Sequence, residues 1–363
     1  MKIVDFKIRN FRNIKKLDIL PGPGLNILVG DNAQGKTNLL ESIYILSTGT
    51  SFRTGKDINF VQYNSESYSI YAKYTNQERK IESLLKYKIT AGKVFEINGK
   101  KVKSSDENNI RVVLFTPDDL YLIKGSPNRR RNFLDFALRQ VSADYIMQWE
   151  NYNKILKKRN ILLKKQNIDD RAFSVINDIF IETAVQVIIK RINFVNILDD
   201  LCQKIFPLLN SDKHIIKIRY ALSFPVFSGK INHEILLQTL KEQVLSKKND
   251  ELMRGTTMIG PHLDDLNIYL DDNLARLFSS QGQQRNIAVT LKLAEIYAFK
   301  QIKGYYPLFL LDEVFAELDE AKKNLLMEQL SKAKFQSFLS SVSIDNIKRG
   351  NSQIFKIKNG CII

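Results

Sequence analysis

The sequence is poor in residues that staple or metallate a small scaffold. Its 363 residues include two cysteines, Cys202 and Cys361, and three histidines. Neither cysteine sits in a paired spacing, which excludes a disulfide framework and a structural zinc site and fits a reducing compartment. Low-complexity tracts and internal repeats are also missing. The N-terminal "MKIVDFKIRNFRNIKKLDIL" alternates and carries charge throughout, so it is neither a signal peptide nor a membrane span. No later apolar run reads as long enough to cross a bilayer. A cytoplasmic, nucleoid-associated location without a membrane partner is therefore expected.

Acidic residues are the other deficit. There are 39 of them against 55 lysines and arginines, a formal charge of +16. That balance favours an acidic partner such as nucleic acid. At 44% hydrophobic, the chain can build a sizeable core, and its length allows about two to three domains.

The first third reads as strands: "IVDFKI" and "KKLDIL" alternate, and "LNILVG" is a short continuous apolar run followed by the helical "KTNLLESIYILST". Further short strands run from Tyr68 to Val102, with an Asn-Gly turn at Asn98. From about Lys124 the period turns helical, including one long pattern from Asp169 to Leu209. Strand-and-turn texture returns after Gly255. The expected organisation is a core in two parts, 1–123 and 255–363, split by an inserted helical arm, 124–254.

"GDNAQGKT" matches G-x-x-x-x-G-K-[ST] between a buried strand and a helix, the context that phosphate binding needs. Gly30 and Gly35 permit tight turning. Backbone N–H groups along Asp31, Asn32, Ala33, Gln34 and on to Thr37 and Asn38 can cradle phosphates at the positive end of a helix. Lys36 supplies a point charge, and Thr37 a hydroxyl for Mg²⁺. "PLFLLDEVFAELD" is a buried strand ending in carboxylates. Asp312 suits the Mg²⁺ role, and Glu313 beside it can polarise an attacking water. ATP and Mg²⁺ are thus the expected cofactors, with Glu313 and Lys36 as the catalytic pair.

Taken with "SQGQQR" and the opening "FKIRNFRNIKKLDI", these motifs resemble the ABC-type ATPase heads of the structural-maintenance-of-chromosomes group, and among them a bacterial recombination mediator. The resemblance extends through "FTPDDLYLIKGSPNRRRNFLD" and "GTTMIGPHLDDL", from the N-terminus to Asp319. It implies an α/β P-loop head with a β-rich N-terminal lobe and a helical insert. It also implies an ATP-dependent homodimer. In that dimer Ser280, Gly282 and Gln283 of one subunit meet the γ-phosphate held by the other, and Asp319 lies near the seam. Arg12 would touch the nucleotide, and Arg53 would lie near the site. The function implied is slow, DNA-stimulated ATP hydrolysis in recombinational repair. Gapped or junction duplex DNA, RecR and other RecA-loading proteins would be its partners.

Two departures stand out. "QSFLSSV" offers only Ser340 or Ser341 where such ATPases often place a γ-phosphate-sensing His, which points to slow turnover. "VLFTPDDL" shows no clear Q-loop glutamine. Basic residues cluster twice: nine against three acids from Lys73 to Lys103, and eleven against three from Lys124 to Lys165. Both are candidate DNA-backbone contacts. The main alternative is a related head acting in chromosome organisation or break processing, although those heads usually carry long coiled coils. A nuclease needs a further acidic domain, and a small-molecule kinase would not need "SQGQQR". A scaffold with a degenerate site would not keep Lys36, Thr37, Asp312 and Glu313.

Overall fold

The computed structural model describes residues 1–53, 55–165, 170–210, 214–226, 231–343 and 352–363. Thr54 of "SFRTGKD" and Asp169 at the head of the long helical pattern lie outside the described residues. The chain opens with β1 (Lys2–Phe11), β2 (Ile14–Ile19), β3 (Leu25–Val29) and α1 (Lys36–Thr48). Next come β4 (Ser67–Asn76), β5 (Arg79–Lys88), β6 (Gly92–Ile97), β7 (Lys100–Val102) and β8 (Val112–Phe115). The middle holds α2 (Pro127–Val141), α3 (Ala143–Leu163), α4 (Asp170–Leu209), β9 (Ile216–Ala221), α5 (His233–Ser246) and α6 (Lys248–Arg254). β10 (Asp265–Leu270), β11 (Asn273–Leu274), α7 (Ala275–Phe278) and α8 (Gln281–Lys303) follow. β12 (Leu308–Leu311), α9 (Glu320–Lys332), β13 (Ser337–Ser341), β14 (Gln353–Lys358) and β15 (Cys361–Ile362) close the chain.

Two compact units result, Met1–Tyr121 with Ala288–Ile363, and Leu122–Ile287. The first contains two sheets. One runs β15-β14-β3-β13-β12-β8 and is parallel except at β15. Its inner strands β3 and β12 are buried at every residue, which explains why both read as unbroken apolar runs. The other sheet, β2-β1-β4-β5-β6-β7, is antiparallel. Its strands alternate, as in β4, where every second residue from Tyr68 to Tyr74 is buried. Asn98 and Gly99 take positive φ angles of 49° and 75°, which makes the β6–β7 turn the tight type that Asn-Gly favours.

The second unit packs α2 to α6 with a three-stranded sheet, β11-β10-β9. Six residues of β10 pair antiparallel with β9. β10, which starts at the last two residues of "GPHLDDL", therefore belongs to this unit's own sheet, and the unit runs on to Ile287, past the return to the core expected at Gly255. Helix α4 corrects another expectation. At 40 residues it is long and apolar enough, by length and composition, to cross a membrane. Its apolar face is used within its unit: Phe180, Ala184, Val187, Ile188, Val195, Leu198 and Cys202 are all buried, and the helix packs on α3, β9 and α5.

Candidate functional site

Three neighbouring strands of the parallel sheet deliver the site. β13 lies between β3 and β12, with Ser341 opposite Val29 and Leu339 opposite Leu311. The ends of β3, β13 and β12 therefore bring the phosphate loop, Ser340 and Asp312 to one edge. Ligands bind at that edge in open α/β sheets.

The loop is shaped by backbone. Gly35 caps α1 at φ 112°, a conformation that L residues rarely adopt, and a Cβ there would crowd Asn13 Oδ1 at 3.0 Å. Ala33 is also left-handed, at φ 65°. The loop is braced from behind by the β14–β15 turn. Asn359 N–H donates to Gln34 Oε1 at 2.6 Å and Gly360 N–H to the Gln34 carbonyl at 2.8 Å. Gln34 is thereby a brace for the loop, a role the motif alone did not show. Asn38 is likewise engaged: its Nδ2 donates to Asn13 Oδ1 at 2.8 Å, and its Oδ1 accepts from Arg53 at 3.0 Å.

Lys36 is 3% exposed, and its ammonium donates to the carbonyls of Gly30 and Asp31 at 2.7 and 2.8 Å. Burial lowers its pKa, while Glu313, Asp312 and Asp31 pull it back up. Thr37 Oγ1 donates to Asp312 Oδ1 at 2.9 Å. Ser340 Oγ donates to that same oxygen at 2.9 Å and accepts the Glu313 N–H at 2.8 Å. Burial raises the pKa of Asp312, against the lowering effect of hydrogen bonds from Thr37 and Ser340. Glu313 is exposed and left-handed, at φ 54°. Thr37, Asp312, Ser340 and the Glu313 backbone thus form one hydrogen-bonded cluster, with Lys36 beside Thr37 in the loop and held by the loop carbonyls. Ser340, expected only to stand where a His is missing, is a structural link between Asp312 and Glu313.

The two arginines separate. Arg12 makes a bidentate pair with the fully buried carboxylate of Glu41, through Nε at 3.1 Å and Nη2 at 2.8 Å. It also donates to Asn59 O at 3.0 Å and lies over the Phe60 ring. Arg53 is about half exposed, with its guanidinium 3.9 Å from Glu41 and bonded to Asn38. Glu41 is not part of any motif in the sequence; its signal is a carboxylate at a buried position of a largely apolar helix.

In the other unit, Ser280 and Gln283 form a reciprocal capping box at the start of α8. Gln283 N–H donates to Ser280 Oγ at 3.2 Å, and Ser280 N–H to Gln283 Oε1 at 2.8 Å. Ser280 is exposed and Gly282 half-buried. Asp319 caps α9 by accepting the Lys322 N–H at 2.9 Å.

The basic clusters also sort themselves. Lys80, Lys86, Lys88 and Lys101 are exposed on the antiparallel sheet. Lys154, Lys157, Lys158, Lys164 and Lys165 are exposed on and just after α3. Arg130 and Arg159 are not surface residues. Arg130 pairs with Asp265 at 2.7 Å, and Arg159 with the fully buried Glu251 at 2.6 Å. These two arginines of the "RRRN" and "KKRN" runs are core ion pairs, which removes them from the candidate DNA surface.

A buried-strand phosphate loop, an acidic strand end and an inserted helical arm define the class: an ABC/SMC-type ATPase head. The family model for the RecF/RecN/SMC N-terminal domain matches residues 2–362. The chain is 36% identical over 371 residues to the DNA replication and repair protein RecF of Halalkalibacterium halodurans, covering 100% of this chain and 99% of that one. It is also 36% identical over 380 residues to RecF of Clostridioides difficile, covering 100% and 98%. A solved structure described as the recombination mediator protein RecF-ATPrS in the RecFOR pathway superposes with a TM-score of 0.89 at 30% identity, over 99% of this chain and 97% of that one. An SMC head bound to the C-terminal winged-helix domain of ScpA shares the fold, at TM-score 0.57 and 15% identity. The chain belongs to the RecF family of DNA replication and repair proteins.

Proposed function

We propose that this protein is an ATP-dependent recombination mediator. ATP closes a head-to-head dimer on gapped or junction duplex DNA, the dimer helps load recombinase onto single strands, and slow hydrolysis opens it. The observation that carries this reading is the hydrogen-bonded chain from Thr37 of the phosphate loop through Asp312 and Ser340 to the Glu313 backbone. It is supported by relatives described as RecF in complex with ATP and placed in the RecFOR pathway.

The residues present suit Mg²⁺–ATP. Thr37 Oγ1 and Asp312 Oδ1 are hard oxygen donors 2.9 Å apart, and Mg²⁺ characteristically takes few protein ligands alongside substrate phosphates. When bound, Mg²⁺ neutralises charge on the β- and γ-phosphates. The backbone N–H groups at the start of α1 receive the phosphates, and Lys36 turns from its loop carbonyls to the γ-phosphate. Glu313 takes a proton from the attacking water. The water oxygen then bonds to γ-phosphorus as the bridge to the β-phosphate breaks, giving ADP and phosphate. Ser340 holds Asp312 and the Glu313 backbone in register. Its hydroxyl cannot supply the positive charge of a protonated His, which fits slow turnover.

On the partner subunit, Ser280 and Gly282 at the capped start of α8 would present donors and a helix N-terminus to the γ-phosphate. Duplex DNA would bind the exposed lysines of the antiparallel sheet and of α3. RecR and other RecA-loading proteins are the proposed protein partners, in the cytoplasm. The test is ATP turnover by the wild type and by Lys36→Ala, with and without gapped DNA. Turnover that DNA leaves unchanged, or that survives Lys36→Ala, overturns the reading.

A further inference from the structure

We infer that Asn13 and the β14–β15 turn are positioning groups that preset the phosphate loop, anchoring its carbonyls on one side so that its N–H groups face the phosphates on the other. The inference deepens the proposed nucleotide site and rests on that reading. Every residue in it belongs to the first compact unit.

The turn is built to donate. Lys358 pairs with Cys361, which leaves Asn359 and Gly360 as a two-residue hairpin loop with φ angles of 51° and 73°. Positive φ at both positions is the type I′ geometry that Asn-Gly favours. Both turn N–H groups go to Gln34. Asn359 N–H donates to its side-chain Oε1 at 2.6 Å, and Gly360 N–H to its main-chain carbonyl at 2.8 Å.

Asn13, between β1 and β2, supplies the second anchor. Its Nδ2 donates to the Ala33 carbonyl at 3.3 Å, and its Oδ1 accepts from Asn38 Nδ2 at 2.8 Å. The three segments meet backbone to backbone. A Cβ on Gly360 would lie 2.4 Å from the Asn13 carbonyl oxygen, and one on Gly30 would lie 2.3 Å from the Ile357 carbonyl oxygen. The glycine that opens the motif is therefore required by the packing of β14 as well as by the approach of phosphate.

Orientation follows from peptide geometry. The loop peptides are trans, so each carbonyl points opposite to the N–H of the next residue. Holding the Ala33 carbonyl on Asn13 turns the Gln34 N–H away from Asn13. Holding the Gln34 carbonyl on Gly360 does the same for the Gly35 N–H. With the N–H groups at the start of α1, these form a concave nest for an anion. Ala33 sits between the anchors at φ 65°, a left-handed conformation that is strained for an L residue and persists only where its surroundings hold it. A loop without its anchors relaxes, and nucleotide must reorder it on binding, which weakens affinity.

The test compares the wild type with Asn13→Ala, Gln34→Ala and Gln34→Glu, at concentrations where sedimentation shows monomer. Calorimetric titration with Mg–ATP should show each alanine variant binding about tenfold more weakly, the scale of one or two net hydrogen bonds. Without nucleotide, both should exchange amide hydrogens faster across 30–38, and Gln34→Ala also across 356–363. Gln34→Glu keeps an acceptor for the Asn359 N–H and should retain wild-type exchange across 356–363. Wild-type ATP affinity in both alanine variants overturns the inference. So does a Gln34→Glu protein that exchanges as fast as Gln34→Ala, or an affinity loss seen only with a fall of more than about 5 °C in nucleotide-free melting temperature, which would mark a merely structural role. These readouts use monomer, so a wild type that binds Mg–ATP and never dimerises contradicts the proposed function alone.

Discussion

Ser340 Oγ lies 2.9 Å from Asp312 Oδ1 and accepts the backbone N–H of Glu313 at 2.8 Å, so one hydroxyl ties the carboxylate proposed to hold Mg²⁺ to the residue proposed to activate water. Removing it should loosen both groups without touching the phosphate loop. Ser340→Ala is expected to lower single-turnover ATP hydrolysis about tenfold, the scale of one hydrogen bond to a charged group, while ATP affinity changes by less than about threefold. Equal losses in both would assign Ser340 to nucleotide binding.

Arg12 and Arg53 should separate in the same way. Arg12→Ala removes the bidentate partner of the fully buried Glu41 carboxylate, leaves it the Ser51 hydroxyl at 2.5 Å and Arg53 at 3.9 Å, and is expected to cost about 3 kcal/mol of unfolding free energy in denaturant melts. Arg53→Ala removes a half-exposed side chain and should change stability by less than about 0.5 kcal/mol. Any effect of Arg53→Ala should appear in ATP affinity or turnover.

DNA binding should follow exposure rather than the count of basic residues. Lys86→Ala with Lys88→Ala is expected to flatten the dependence of log affinity on log salt by about one unit per lost phosphate contact. Arg159→Met should leave that slope alone and lower the melting temperature, because it leaves Glu251 buried without its partner.

Burial raises the Glu295 carboxyl from 4.5 to about 7, with Lys292 opposing the shift. A raised carboxyl pKa means that the folded state binds the proton more tightly. Its stabilising contribution is therefore present below about pH 4.5 and is lost as pH rises to about 7. Glu295→Gln removes this dependence. The stability difference, variant minus wild type, should grow between pH 5 and pH 7.5 by on the order of 2 kcal/mol in urea melts. A constant difference would place an ionised Glu295 in the fold at all these pH values.

Much of the nucleotide site was legible because its chemistry is local in sequence. "GDNAQGKT" and "LLDE" each carry their own strand, turn and charge. The braces were not legible, because they come from far along the chain. Asn359 reaches Gln34, Ser340 reaches Asp312, and Lys292 reaches Asp119 only through the order of strands in a parallel sheet and the packing around it. Net charge misled for Arg130 and Arg159, because a basic run does not reveal that Asp265 and Glu251 come back to meet it. The second compact unit extends past Gly255 to Ile287 for a similar reason: β10, Asp265–Leu270, pairs with β9, and one strand gives no hint of its partner. In "SQGQ", a dimer signature was read where an S-x-x-Q capping box was equally present.

The proposed composite site closes between two copies of this chain. Sedimentation velocity of Glu313→Gln tests it most directly, with and without Mg–ATP and gapped DNA, beside the same variant carrying Ser280→Arg. The expected result is a monomer without nucleotide and a stable dimer with Mg–ATP. The added Ser280→Arg should leave ATP bound and the protein monomeric. A Glu313→Gln protein that binds Mg–ATP yet stays monomeric under every condition would contradict it.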